Sequence, residues 1–280
     1  MRTAFFHPRS FLLPALLALI FAAMPVLPGR SAAEDDPILE AVRLIDPDAK
    51  RTADGSILTH RLPKHRHIDG KDAYVDIPNP MKVLDVAERW FLSGMMQRRA
   101  LFIRIDADAT GALGMALLAV VPIGQPTDAP IDLVDVASDR FTALETDPRP
   151  SLGIGDDLLL VRNSHGNSNQ SYHDELLLRS VDGRLEKVVS IAMIDVSTCA
   201  YRTKQTARYE SAAPAGKGPG ALAVTVTETV SKASDDCDDA APLPKGASWQ
   251  TVLEWDEATH GFRARTDALE RLEEHNEGLR

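Results

Sequence analysis

Between two apolar runs the chain reads Asn163-Ser164-His165-Gly166-Asn167-Ser168-Asn169-Gln170-Ser171-Tyr172-His173, eleven residues of which all but the glycine carry a hydrogen-bonding side chain. Asn and Gln donate and accept at once, so Asn163, His165, Asn167, Gln170 and His173 are the candidate contacts for a small polar ligand. The competing reading is a solvated turn that satisfies its own backbone. Gly166-Asn167-Ser168-Asn169-Gln170 lacks the second glycine of a nucleophile elbow, and it leads into a strand pattern where that motif requires a helix. Ser168 is therefore not read as a nucleophile, and no catalytic residue is assigned.

Two other spacings bear on metals. His65 and His67 share a face if their segment is extended, as ligands at i and i+2 would, but the sequence names no third ligand. They sit in a basic cluster with His60, Arg61, Lys64, Arg66 and Lys71, which reads as a solvated loop. Asp106-Ala107-Asp108-Ala109-Thr110-Gly111 places oxygen ligands at positions one, three and five and glycine at six, so Asp106, Asp108 and Thr110 are the candidate calcium ligands. This loop resembles the Asp-rich turns of FG-GAP-type β repeats, in which calcium sits between strands. Positions nine and twelve are Gly114 and Leu117, however, so the later carboxylates are missing and a plain turn without micromolar calcium binding is expected. Asp235-Asp236-Cys237-Asp238-Asp239 reads as a solvated acidic turn. Gly153-Ile154-Gly155 lacks the third glycine of a dinucleotide fingerprint, and the chain has no phosphate loop and no His-Glu-x-x-His. No cofactor is expected.

The compartment follows from the ends and the cysteines. Arg2 and Arg9 flank a basic start, Phe11 to Met24 is an apolar run of fourteen residues, and Ser31-Ala32-Ala33 offers the small residues of a cleavage site. The run is interrupted by Pro14 and is shorter than the roughly 20 residues of a membrane span, so residues 1–33 read as a secretory leader. The remaining 247 residues carry 41 acids against 28 bases and 11 aromatic residues. So acidic a surface gives no footprint for nucleic acid, and no later stretch is long enough to span a membrane. In an oxidising compartment the two cysteines, Cys199 and Cys237, are expected to pair with each other.

The periodicity of the chain indicates the elements that must position these residues. Residues 34–80 contain Pro37, Pro47, Pro63, Pro78 and Pro80 and read as an extended segment with a hairpin at Asp54-Gly55. Asn79-Pro80 suits the start of a helix, and Val83, Val86, Ala87, Trp90 and Phe91 fall on one helical face opposite Lys82, Glu88, Arg89 and Ser93. From Ala100 onward short apolar or alternating runs are punctuated by turns, with Asp182-Gly183 a strong hairpin signal and a short helix opening at Asp267. The expected class is α+β: a mostly antiparallel sheet packed by one N-terminal amphipathic helix, with residues 34–280 forming a single β-rich domain.

Leu160-Val161-Arg162-Asn163-Ser164-His165, the two cysteines, Trp255-Asp256 followed by Gly261-Phe262, and Asp267-Ala268-Leu269 together resemble exported alpha-proteobacterial proteins of unknown function, over most of residues 100–280. The resemblance implies a periplasmic location and no activity. The expected function is a non-enzymatic periplasmic module that binds a protein partner or a small polar ligand through polar loops; a hydrolase acting on cell-envelope material is the alternative. Cleavage after Ala33 is the expectation most directly measured. Intact mass of chain recovered from the periplasm reads it, and an uncut chain in the cytoplasm would refute it.

Overall fold

A computed structural model describes residues 36–61, 64–70, 76–106, 114–123, 130–137, 141–166, 170–213, 218–233 and 242–279. The leader, Asn167, Asp108, Thr110, Cys237 and the acidic run around it lie outside these residues. The N-terminal elements are helix α1 (Pro37–Arg43) and the short strands β1 (Lys50–Arg51), β2 (Ile57–Leu58) and β3 (Arg66–His67). Then come β4 (Lys82–Ser93), β5 (Met96–Asp106), β6 (Gly114–Val121), β7 (Asp132–Ala137), β8 (Thr142–Glu145), β9 (Ser151–Gly153) and β10 (Asp156–Asp157). The rest of the chain forms β11 (Leu159–Gly166), β12 (Gln170–Val181), β13 (Arg184–Ser197), β14 (Tyr201–Ala212), β15 (Ala221–Lys232), β16 (Ser248–Asp256), β17 (Gly261–Ala264) and helix α2 (Ala268–Glu277).

Two sheets carry the architecture, one in the order β3-β7-β6-β5-β4 and one in the order β17-β16-β15-β14-β13-β12-β11-β8. All neighbours are antiparallel except β3 and β7. Phe91, Phe102, Leu118 and Val134 from the first sheet pack against Leu159, Val161, Leu176 and Leu178 from the second. The far face of the first sheet, with Leu101, Ile103 and Leu117, is covered by Val42 of α1, by Ile45 just after it, and by Ile57 and Met81. The far face of the second, with Leu160 and Leu177, is covered by its own later strands, which curl back to place Val224, Trp249 and Leu253 there with Leu272 of α2. β5 and β6 are thus buried on both faces, as are the inner parts of β11 and β12, which explains their continuous apolar runs.

The helix expected to open at Asn79-Pro80 does not exist, and the fold is a β structure with two short helices among the described residues. Residues 82–93 and 96–106 are instead the paired strands β4 and β5. A register shift between Val83 and Asp85 changes the parity of β4, and from Ala87 onward it alternates strictly. Arg89, Phe91 and Ser93 point inward and Trp90 outward, where its ring is 49% exposed and covered by the Arg99 guanidinium at 5.5 Å. Arg89 and Ser93, polar residues that helical spacing would set on a solvated face, are buried because each finds a carbonyl on the facing sheet. Arg89 Nη1 donates to Glu145 O at 2.7 Å and Ser93 Oγ to Ser180 O at 2.6 Å. Asn79 caps nothing: its amide oxygen accepts from Thr59 N and its amide nitrogen donates to Thr59 O. Within residues 34–80, α1 also departs from the extended reading, with Asp36 accepting from Leu39 N at its N-terminus.

The hairpin expected at Asp182-Gly183 is present, with φ values of 51° and 88° that match a turn needing two left-handed residues. At its other end β13 behaves differently, for it pairs with β14 only from Asp195 to Ser197. Where the two strands part, side chains replace the ladder. Gln205 Oε1 accepts from Ile194 N at 3.2 Å, and Asn276 Nδ2 of α2 donates to Ala192 O at 3.0 Å. Gln205 Nε2 in turn donates to Asn276 Oδ1 at 2.7 Å and to Glu228 Oε2 at 2.9 Å. The His275 ring lies 2.8 Å from the same carboxylate oxygen and 5.0 Å, centre to centre, from Trp249. Asn276→Ala would orphan the Ala192 carbonyl and a Gln205 N–H, each at about 1–3 kcal/mol. Urea denaturation should show that loss, and Asn276→Asp, which sets a buried carboxylate against the Ala192 carbonyl and beside Glu228, should lose at least as much.

Candidate functional site

At one end of the sandwich the second sheet's inward rows turn from apolar to polar. Cross-strand pairing puts Asn163 opposite Asp174 on the same side as Val161 and Leu176, directly beyond the last apolar pair. Ser190 and Lys187 continue this side on β13. The first sheet contributes His67 on β3, the following Asp69, and Asp135 on β7 to the same cleft, Asp135 alternating with the inward Val134 and Val136 as the cross-strand partner of Leu117. These residues line a cleft of ≈ 260 Å³ whose floor is Ile68, Val136, Val161 and Leu176. Asp174 stands exposed on the strand and Asp135 is 5% exposed.

The cleft is pinned by ionic contacts between the sheets. Asp132 Oδ2 accepts from Arg66 Nη2 at 2.6 Å and from Leu185 N at 2.8 Å, while the same Arg66 nitrogen donates to Leu185 O at 2.7 Å. Lys187 Nζ pairs with Asp69. Asp135 is the deepest charge: His65 Nε2 lies 3.5 Å from its Oδ2 and His67 Nε2 3.5 Å from its Oδ1. Burial pushes the Asp135 carboxyl above the usual carboxylate range, against the opposing pull of His67 and His65. Asp69 N donates to His67 Nδ1 at 3.2 Å, so Nε2 is left as the ring's N–H and faces Asp135. Both ring nitrogens of His67 are therefore engaged by the protein, and neither is free to take a proton from a substrate.

His65 and His67 do share a face, as their spacing suggested, and what they meet is a carboxylate. Among the described residues no three His, Cys, Asp or Glu side chains are placed to hold a metal ion. The polar stretch is divided by the pleat. Asn163 reaches the cleft, His165 is exposed near the end of β11, and Gln170 accepts from Tyr172 Oη at 2.6 Å. His173 points to the opposite face with Ser164 as its cross-strand partner, so His165 and His173 do not serve one site. Asp106, the first candidate calcium ligand, ends β5 and pairs with Lys82 Nζ at 2.9 Å. Sequence reasoning missed Asp135, Asp174 and Lys187; the signal available was a carboxylate or amine inside an otherwise apolar strand.

On the opposite face a second polar cluster closes on itself. Arg162 donates through Nε and Nη2 to Glu175 Oε1 at 3.0 and 2.6 Å and through Nη1 to Glu145 Oε1 at 2.9 Å. Tyr209 Oη donates to Glu175 Oε2 at 2.6 Å, and burial together with the Glu175 charge pushes the phenol far above its ordinary range. Such a satisfied cluster fixes strands and leaves nothing for a ligand.

Burial beside this cluster also holds His173 below the ordinary imidazole value of 6.5, with the Arg162 charge adding to it and Glu175 opposing. Between the lowered value and 6.5 the unfolded chain binds a proton that the folded chain refuses, so this contribution to stability is present above 6.5 and lost as pH falls. Imidazole titration by NMR should place His173 below the ordinary imidazole value of 6.5, and His173→Gln should flatten the stability-against-pH curve below 6.5. No family model, curated protein or solved structure matches this chain, so its geometry alone carries the functional reading.

Proposed function

We propose that this chain is a non-enzymatic binding module whose ligand is small, polar and rich in hydrogen-bond donors, seated in the cleft between the two sheets. The observation that carries the reading is the change of the second sheet's inward rows from apolar to polar at this one end, where Asn163, Asp174 and Lys187 line a cleft of ≈ 260 Å³ with Asp69. That volume lies just under the range of about 300–1,000 Å³ usual for ligand pockets, and suits a ligand of amino-acid or single-sugar size. Carboxylates outnumber the single lysine, which Asp69 already pairs, so donors are recognised better than anions. The engaged nitrogens of His67 weigh against a general base and hence against the hydrolase alternative.

The same proposal places the chain beyond the inner membrane, with Cys199 bridged to Cys237. Its supports are the leader-like first 33 residues, the acidic composition, and the absence of a free cysteine among the described residues.

A thermal-shift panel of amino acids, polyamines and monosaccharides tests the cleft. At least one donor-rich compound should raise the melting temperature of the unaltered chain, by the amount that linkage requires of a ligand bound only to the folded state. Asp174→Ala and Asn163→Ala should remove that shift. Asp174 is exposed, so its variant should keep its resting stability, whereas Asn163→Ala also removes the acceptor of the buried Thr142 hydroxyl and is read against its own ligand-free baseline. A shift that survives both substitutions, or a panel without any shift, would refute the reading.

A further inference from the structure

Strand β13 is 14 residues long, but only its last three pair with β14, so most of its second edge has no strand beside it. Side chains close the two ends of that edge. Leu185 N and O meet Asp132 and Arg66, Ala192 O meets Asn276, and Ile194 N meets Gln205. Alternate residues turn their backbone groups to the same edge, and the register shift opposite Leu177 and Leu178 inserts one residue between these ends. Lys187 and Ser190 therefore turn N–H and C=O outward, as Leu185 and Ala192 do. Among the described residues no group bonds to them there.

The cavity of ≈ 430 Å³ lies against this open stretch. Its lining includes the five consecutive residues from Val188 to Ala192, and because successive side chains of a strand point oppositely, it runs along the edge of β13 and not over one face. Phe262 and Ala264 of β17, with Leu269 and Leu272 of α2, form the other wall. β17 is the last strand of the curled sheet and returns beside β13 without pairing to it. The result is a slot between two strand edges. Its charged lining residues are Asp174, Glu270 and Glu273, with no base among them. Nearby bases are taken up elsewhere, Arg271 by Asp267 and Lys187 by Asp69.

We propose that this slot receives an extended peptide in which apolar and basic residues alternate, added as a strand to the open edge of β13. The outward N–H and C=O of Lys187 and Ser190 select a polypeptide backbone, since only another main chain presents acceptors and donors at the matching repeat. The pleat of β13 selects the alternation. A strand paired there sets one row of side chains beside Val189 and Ile191, which pack with Leu177 in the apolar core, and the other beside Ser190 and Ala192, on the side of Asp174. Glu270 and Glu273 add to the attraction for basic residues. Asp174 and Ser190 border both the slot and the cleft, but the slot needs no ligand in the cleft.

Fluorescence polarisation of the full chain with a labelled heptapeptide of alternating lysine and valine tests the proposal. Two control peptides accompany it, one with alternate backbone amides methylated and one with glutamate in place of lysine. The parent peptide should bind saturably, and each control at least about tenfold less tightly, through lost main-chain hydrogen bonds in the first and charge repulsion in the second. Glu270→Gln with Glu273→Lys should weaken the parent peptide at least about fivefold at an unchanged melting temperature, since both side chains are exposed. This variant alters no cleft residue, so any melting shift produced by a donor-rich compound in the cleft should survive in it. Amide hydrogen exchange at Lys187 and Ser190 should slow when the parent peptide binds. No binding, equal binding of the methylated or the acidic peptide, or protection confined to another strand edge overturns the proposal.

Discussion

Every layer of this fold is arranged around a strand pair that cannot touch water on either side. Leu158 to Val161 of β11 and its approach, and Leu176 to Leu178 of β12, are each at most 8% exposed, with alternate residues feeding two different hydrophobic cores. An antiparallel pair ordinarily leaves one face solvated. Covering both faces requires a complete second sheet on one side and, on the other, a sheet long enough to curl back over itself. The five-stranded sheet and the C-terminal strands with α2 meet those two requirements. Truncating a residue in this wall would open a cavity at a cost of about 2–5 kcal/mol, because neither side can collapse freely onto the other.

Curling back has its own cost in backbone hydrogen bonds, since β13 and β14 must separate after three paired residues. Gln205 and Asn276 take over as partners for Ile194 N–H and Ala192 C=O. Asn276 comes from the last helix, so α2 does more than bury Ala268 and Leu272. It supplies the polar group that lets the sheet part without orphaned amides. Beside this parting a cavity of ≈ 430 Å³ is walled by β13, β17 and α2 and shares Asp174 and Ser190 with the cleft.

The C-terminal two thirds of this arrangement could be read from the sequence because their strands are either continuously apolar or bounded by turn residues of definite type, such as Asp182-Gly183. β4 could not, for a reason that is local. A register shift at its start and two inward polar residues gave it the spacing of an amphipathic helix, and only carbonyls contributed by distant β8 and β12 make those polar residues tolerable inside. Gly94, directly after the residues that give this helical spacing, is the local warning. The cleft was half legible. Asn163 announced itself within a run of amides, whereas Asp135 sits in an apolar strand whose burial depends on β3, a two-residue strand paired in parallel and contributed from 68 residues earlier.

The strand pair also decides which polar residues are open to a ligand and which are not, and it does so by parity. Arg162 and Glu175 are cross-strand partners, as are Asn163 and Asp174, one step farther along each strand. On one face Arg162 and Glu175 meet Glu145 and Tyr209, and all their hydrogen-bonding capacity is directed inward. On the other, Asn163 accepts from Thr142 Oγ1 at 3.0 Å and lines the cleft with Asp174, Ser190 and Lys187. Similar polar chemistry thus closes into an ionic cluster on one side and lines the cleft on the other because successive side chains of a strand point oppositely. A slip of one residue in the register of β11 would exchange the two sets, setting an arginine in the cleft and an amide against Tyr209. The apolar residues immediately before them, Val161 and Leu176 in one core and Leu160 and Leu177 in the other, oppose such a slip, so the packing of the wall and the composition of the cleft are a single constraint.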